Sequence, residues 1–449
     1  MMNLTRRKSE LVKEFSPMLE KTSTLSKIWI WSLVAIILVG AYALFLQIYE
    51  GQSVTGMRDN VVWGIYTVNF IFFLGMGYAG AFISSVLHFI KTPWKNSVSR
   101  IVEITTVLSI VIGPVFILLC IYRLDRLHYL FMYPRIQSPI TWDVIAVITD
   151  LIGCILYLYL TFIPDLAILR DSDNLKVPKW KKKMYRYLAI GYQNTDEQKE
   201  KLHKITKTMS VIVIALAIVA YTILAWVFSL TLQPGWNSTI FAPYFIVSGL
   251  YTGVAVIILV MYLIRKHLKL EKHIRKVHFI FAGVILLILS LLFGYFTFSE
   301  YFPKWFSHKA SDTNLLNTLF SNYFWMFIIA NYGAVLLPLI IISFKKLRTI
   351  KLITLTAVIA IFCLWLNRYL IIIPTLETPY LPIQDTRPEY VHYTATWVEW
   401  ALTFTGVAAF CLLFTLLIKF VPVIPMSGII DNETDQNKKK RRFKKTITE

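Results

Sequence analysis

The sequence predicts an all-α membrane protein of about ten transmembrane helices, and three observations predict it. Of 449 residues, 56% are hydrophobic and only 16% are charged, too few charges for the surface of a soluble protein of this size. Mean hydropathy is +0.59. The apolar residues also fall in runs of about 20 or more, the helical length that crosses roughly 30 Å of hydrocarbon.

The runs place spans at 27–47, 61–89, 101–122, 140–163, 208–232, 242–264, 278–299, 319–343, 351–373 and 396–421. The ten-helix domain is thus expected over 27–421, between an N-terminal tail, 1–26, and a basic C-terminal tail, 422–449. The opening "MMNLTRRKSELVKEF" is polar and basic, and no small-residue cleavage site follows the first run. That run is expected to span rather than be removed. The second span exceeds bilayer thickness, so it is expected to tilt or project.

Alternate loops are basic, and they set the orientation. Arg6, Arg7 and Lys8 precede the first span, and Lys91, Lys95 and Arg100 follow the second. Further along come "KVPKWKKKMYR", "RKHLKLEKHIRKV", "KKLRTIK" and the terminal "KKKRRFKK", while the intervening loops hold little Lys or Arg. By the positive-inside rule both termini are expected to be cytoplasmic, and the expected location is a bacterial inner membrane. The net charge of +20 then reflects topology and attraction to anionic lipid, and nucleic-acid binding is not expected.

One outer loop breaks the pattern. "RLDRLHYLFMYPRIQSP" carries three arginines with an Asp, a His and several aromatics. It reads either as an interfacial belt or as a loop facing an anion or a quinone.

A charge at mid-span costs about 2.5–3.5 kcal/mol, so intramembrane polar residues are functional candidates. They are Asn69 and Tyr78 in the second span, Glu103 in the third, Asp143 and Asp150 in the fourth, and Tyr295 and Glu300 in the seventh. The eighth holds Asn322, Asn331 and Tyr332, the ninth Arg368 and the tenth Glu399. Asp143, Glu300, Arg368 and Glu399 all fall towards the outer face and read as one cluster. Glu103 sits alone near the inner face, where it can snorkel to the lipid interface. Gly75, Gly77 and Gly80 in "GMGYAGAF" permit close helix approach. Ser138 as cap, Pro139 at the first helical position and the helix dipole can partly account for Asp143. They account less well for an acid this deep with Asp150 on the same face.

Cys120, Cys154, Cys363 and Cys411 are scattered through apolar runs and read as packing residues rather than cluster ligands. Only His88 and His278 touch spans, both at inner ends. No intrinsic haem or metal site is expected.

Three stretches carry a resemblance. They are "NFIFFLGMGYAGAFISSVLHF", the run from "RLDRLHYLF" through "RIQSPITWDVIAVITD" to "YLYLTFIPDLAILRD", and "FGYFTFSEYFPKWF" with "NYFWMFIIANYGAVLLPLIII" and "WLNRYLIIIPTL". Together the chain resembles the NrfD/polysulfide-reductase-type membrane subunits. Ten spans and the closing "TWVEWALTFTGVAAFCLLF" look most like the quinol-reactive subunits of alternative complex III. The resemblance implies two four-helix bundles, at about 61–232 and 242–373, plus peripheral helices. It implies a subunit without its own cofactor, exchanging electrons between quinone and a periplasmic, ferredoxin-like iron–sulfur partner. Haem-bearing cytochrome c subunits, molybdopterin-type subunits and a second NrfD-type subunit are implied as further partners.

Asp143 matches the aspartate of the family's "WD", and Arg123, Asp125 and Arg126 match its arginine turn. The chain departs from the family at Tyr122 and Leu124, where Gly and Pro are usual, and at Tyr78, where His is common. The expected chemistry is quinol oxidation or quinone reduction. Asp143 is the proton acceptor, Arg123 or Arg126 biases its charge, and Tyr78 and Asn69 bond the other quinone oxygen. Asp150, Glu103, Glu300, Asn331 and Glu399 are candidates for a proton path and for coupled proton translocation. A secondary transporter, also built from paired bundles with midplane polar groups, and a purely structural membrane anchor are the alternatives.

Overall fold

The computed structural model describes residues 2–20, 22–89, 95–121, 124–172, 175–380, 392–431 and 433. Among these the regular structure is helical, with no strand. The helices are α1 (Met2–Glu20), α2 (Thr24–Glu50), α3 (Gly64–Phe89), α4 (Lys95–Cys120), α5 (Tyr129–Met132), α6 (Pro139–Arg170), α7 (Lys179–Leu188) and α8 (Asp196–Ser229). They continue with α9 (Phe241–His267), α10 (Lys276–Ser307), α11 (Ala310–Ser321), α12 (Phe324–Ile328), α13 (Ala334–Ser343), α14 (Ile350–Glu377) and α15 (Trp397–Phe420).

Among the described residues, ten helical segments are long and apolar enough to cross a membrane, and each overlaps a predicted span. The protein is a multi-pass integral membrane protein. The main differences lie at the ends. α6 runs to Arg170 and α8 starts at Asp196, because hydropathy reads only the part of a helix inside lipid. The Thr195 hydroxyl caps α8 by accepting from the Gln198 amide at 3.4 Å. The eighth span begins at Phe324 rather than 319, because the chain turns after α11. Ile329–Gly333 form a π-helical turn between α12 and α13.

Apolar residues surround most of these helices, so small and polar residues decide which side packs on protein. Helices α3, α4, α6 and α8 close one ring of neighbours, and α9, α10, α13 and α14 close a second. The rings join where α3 meets α9 and α14 and where α8 meets α9. α2 and α15 pair outside them, against α4. The glycines of α3 allow close contact with α4. A Cβ on Gly77 would lie 2.5 Å from Ile110 Cγ1, and one on Gly80 would lie 2.2 Å from Thr106 Oγ1.

The terminal face holds more order than two polar tails would give. α1 buries Leu11, Val12, Phe15 and Leu19, an apolar stripe at helical spacing. Its Arg7 bonds Glu433 near the other terminus at 2.7 Å. Beneath them Arg100 and Asp165, both fully buried, form an ion pair. Arg100 also donates to the Thr161 carbonyl at 2.7 Å and lies over the Phe162 ring. Asp165 accepts the backbone N–H groups of Met426 and Ser427 at 3.2 and 2.8 Å. The pair therefore fixes α4, α6 and the segment after α15 together. Lys181 on α7 donates to the Leu19 carbonyl at 3.1 Å and to the Lys419 carbonyl. It thereby satisfies the open C-terminal ends of two helices.

Replacing Arg100 by Met leaves Asp165 buried without its cation, and should cost about 3–5 kcal/mol. Thermal unfolding in detergent should show a lowered midpoint, partly regained when Asp165→Leu is added.

Burial, then the nearby charge of Lys419, lowers the Lys181 ammonium from 10.5 to about 8. The folded chain holds this proton less tightly than the unfolded one. Its contribution to stability therefore rises with pH between about 8 and 10.5 and is least below that window. Competitive acylation over a pH series, read by mass spectrometry, should give Lys181 a midpoint near 8, against about 10.4 for exposed lysines.

Candidate functional site

Most buried polar groups in this bundle have partners, and a few do not. Among the described residues, seven buried side-chain polar atoms lack a hydrogen bond. Four of them are Asp143 Oδ1, Asp150 Oδ1, Tyr78 Oη and Arg368 Nη1.

Asp143 and Asp150 share the inward face of α6 with Val147 and Cys154. Ser138 is the N-cap residue and Pro139 follows it, but the Ser138 hydroxyl caps nothing. Capping therefore does not hold Asp143, which lies a turn deeper and is 8% exposed. Asp150 is fully buried and accepts only a long contact, 3.7 Å, from the Cys154 thiol. Tyr78 of α3 is buried, and its hydroxyl has no partner. Its ring packs against Tyr221 of α8 with centroids 5.4 Å apart.

Tyr221 carries the track to the second bundle. Arg368 of α14, 2% exposed, donates to the Tyr221 hydroxyl at 3.3 Å and to Ser248 of α9. Its guanidinium sits 4.5 Å from the Phe245 ring centroid. No carboxylate among the described residues pairs with it. Backbones close tightly around Tyr221, since a Cβ on Gly75 or on Gly249 would lie 2.5 Å from its hydroxyl oxygen. One bundle thus presents two carboxyls and a phenol, and the other a desolvated cation. Such a set can hold a small polar head group, accept a proton from it and stabilise negative charge on its oxygen.

Of the four groups expected to form one outer cluster, Glu300 and Glu399 are bonded elsewhere. Asn69 faces away from Tyr78. It donates to Thr403 at 2.8 Å and accepts from the Trp365 indole at 2.9 Å, tying α3, α14 and α15 together. Glu399 caps its own helix at Thr396 and accepts from Gly56 N at 2.7 Å and Tyr393 Oη at 2.5 Å. All its capacity is spent on structure.

Glu103 does not snorkel. It is buried at the far end of the first bundle, accepting from Ser84 at 3.2 Å and Thr161 at 2.7 Å. Glu300 pairs with Lys304 and accepts from Ser238 at 2.7 Å, beside a small cavity lined by Tyr244 and Tyr301. Asn331 sits in the π-helical turn and accepts from Asn367 at 3.2 Å. Asn367 in turn bonds Tyr244. Asp125 and Arg126 are exposed on a short turn. Arg123 lies outside the described residues.

Comparison with known proteins gives these features a family. The family model described as polysulphide reductase, NrfD matches residues 53–379. The chain belongs to the NrfD family. The match spans both bundles of this NrfD-family chain and ends before α15. A selenate reductase subunit of Mesobacillus selenatarsenatis is 22% identical, over 89% of this chain and 95% of that protein. The Hdr-like menaquinol oxidoreductase integral membrane subunit of Archaeoglobus fulgidus is 24% identical, over 88% and 93%. A provisionally named dimethyl sulfoxide reductase membrane subunit of Halobacterium salinarum is 25% identical, over 54% and 53%.

The networks predict opposite responses to substitution. Tyr78→Phe removes an unpartnered hydroxyl and should leave stability unchanged or raise it by about 1–2 kcal/mol. Glu399→Ala strands buried donors and should lower it by about 2–4 kcal/mol. Thermal midpoints of the purified NrfD-family variants check the contrast.

Proposed function

We propose that this chain is the quinone-reactive membrane subunit of a respiratory oxidoreductase complex in a bacterial inner membrane, with both termini cytoplasmic. It is one part of an enzyme rather than a whole one. The observation that carries the reading is the set of unpartnered polar atoms on Asp143, Asp150, Tyr78 and Arg368. Groups kept desolvated and unbonded within a membrane bundle are expensive, and a polar ligand that supplies their missing bonds accounts for them. The relatives, subunits of two reductases and of a menaquinol oxidoreductase, support redox chemistry over transport or simple anchoring.

Oxidation of a quinol releases two electrons and two protons. Asp143, nearest the outer end of α6, accepts a hydroxyl proton. Asp150 lies two turns deeper on the same face and takes it onward or receives the second. Tyr78 bonds a quinone oxygen, and Arg368 lowers the energy of negative charge developing on the ring oxygens. Quinone reduction uses the same groups in reverse.

The electrons pass to a ferredoxin-like iron–sulfur subunit on the face of Asp125 and Arg126. Molybdopterin-type or cytochrome c subunits, and a second NrfD-type subunit, complete an assembly related to alternative complex III. For coupled proton movement, the second bundle offers Glu300, Tyr244, Asn367 and Asn331, and the first offers Asp150 and, further in, Glu103.

The test is quinol-dependent reduction of the co-purified partners. Asp143→Asn should lower the rate by about 10²-fold or more and flatten its pH dependence, with the complex still assembled. Full activity with an unchanged pH profile overturns the assignment.

A further inference from the structure

Helix α7, Lys179–Leu188, lies outside the ten membrane spans and presents three different faces. Lys181, Tyr185 and Leu188 point to protein. Lys181 holds the ends of α1 and α15, and the Tyr185 hydroxyl donates to the Phe420 carbonyl at 2.8 Å. The Leu188 carbonyl accepts from Tyr159 of α6 at 2.7 Å. Tyr159 lies about 30 Å along α6 from Pro139, at 1.5 Å per residue. That is the thickness of the hydrocarbon layer. α7 is therefore fastened along the level where two spans leave the membrane.

The second face is apolar and bare. Trp180, Met184 and Tyr187 follow one another at helical spacing and are 61%, 41% and 69% exposed. Ile190 extends this face just past the helix at 69% exposure. Its φ is +42°, a backbone state that a β-branched residue rarely adopts. The third face carries the exposed Lys179, Lys183 and Arg186 and the half-buried Lys182. An apolar face beside a basic one, at membrane level, is the pattern of a helix lying in the lipid interface.

We propose that α7 is an interfacial helix that binds anionic phospholipid. Trp180, Met184, Tyr187 and Ile190 enter the acyl boundary. The four basic side chains meet head-group phosphates. The acyl layer covers apolar surface that water would otherwise meet, and the negative leaflet complements the cations. Because α7 also clasps the ends of α1 and α15, bound lipid becomes part of what holds the terminal face closed. The inference stands on the placement of α7 and does not depend on quinone chemistry.

The full chain, carrying a photo-cross-linking amino acid at position 187, is placed in nanodiscs of equal phosphatidylglycerol and phosphatidylcholine. Mass spectrometry then identifies the adducts. The expected product is lipid, with phosphatidylglycerol captured several-fold over phosphatidylcholine. The ratio should fall to about one when Lys179→Gln, Lys182→Gln, Lys183→Gln and Arg186→Gln are combined. These residues lie on the basic face, so the fold should survive, and an unchanged elution profile checks that. A ratio near one in the parent chain overturns the proposal. So does a ratio that the four substitutions leave unchanged, or cross-linking to protein alone.

Discussion

A polar side chain that leaves water for a bilayer must find its partner within the protein, and this constraint organises the whole molecule. It explains why Arg100 and Asp165 pair where α4, α6 and the chain after α15 meet. It explains why Glu399 gathers donors from its own helix, from Tyr393 and from the loop before α3. It explains why both ends of Asn69 are bonded. Each of these groups acts as a clamp between helices whose remaining surfaces are uniformly apolar and so select no particular neighbour. Against that background, a polar atom left without a partner is informative. The unmet atoms of Tyr78, Asp143, Asp150 and Arg368, within the membrane spans, are the ones that a polar ligand would satisfy under the proposed function.

Much of the fold is legible because the same constraint writes long apolar runs into the sequence. Ten runs become ten helices, and the glycines of "GMGYAGAF" make the close contacts their spacing implies. What hydropathy cannot read is helix outside lipid. The amphipathic α1 and the long start of α8 are polar by composition and take their order from packing and capping. The C-terminal segment reads as a basic tail, yet Val423, Ile424 and Met426 are buried because Asp165 anchors the backbone beside them.

The site is half legible. Asp143, Asp150 and Tyr78 stand out as polar groups in apolar surroundings. Arg368 stands out too, in "WLNRYL", but its neighbours Tyr221 and Ser248 lie more than a hundred residues away and are ordinary in their own spans. No local pattern joins them. Depth alone misreads Glu399. The Thr396-x-x-Glu399 spacing is a capping box, visible in the sequence, and it accounts for that acid without a proton path. Asn69 and Tyr78 share a helix but not a face. Nine residues at about 100° apiece put them on opposite sides.

The two-bundle arrangement has a consequence for chemistry that neither bundle has alone. In the proposed reaction the first supplies proton acceptors and the second a cation, and neither set alone meets a redox head group's needs. Their relation is fixed where Tyr221 lies pressed between Gly75 and Gly249, so closely that an added methyl at Gly249 would overlap its ring, 2.3 Å from Cε1. An oxygen held near Arg368 gains electrostatic stabilisation in surroundings that screen charge weakly. Its proton has the α6 carboxyls as acceptors on the opposite side of the Tyr78–Tyr221 pair. A substituent that spreads α3 from α9 would therefore separate cation from acid while leaving every site residue in place. In the proposed reaction, small residues at the bundle junction matter as much as the acids do.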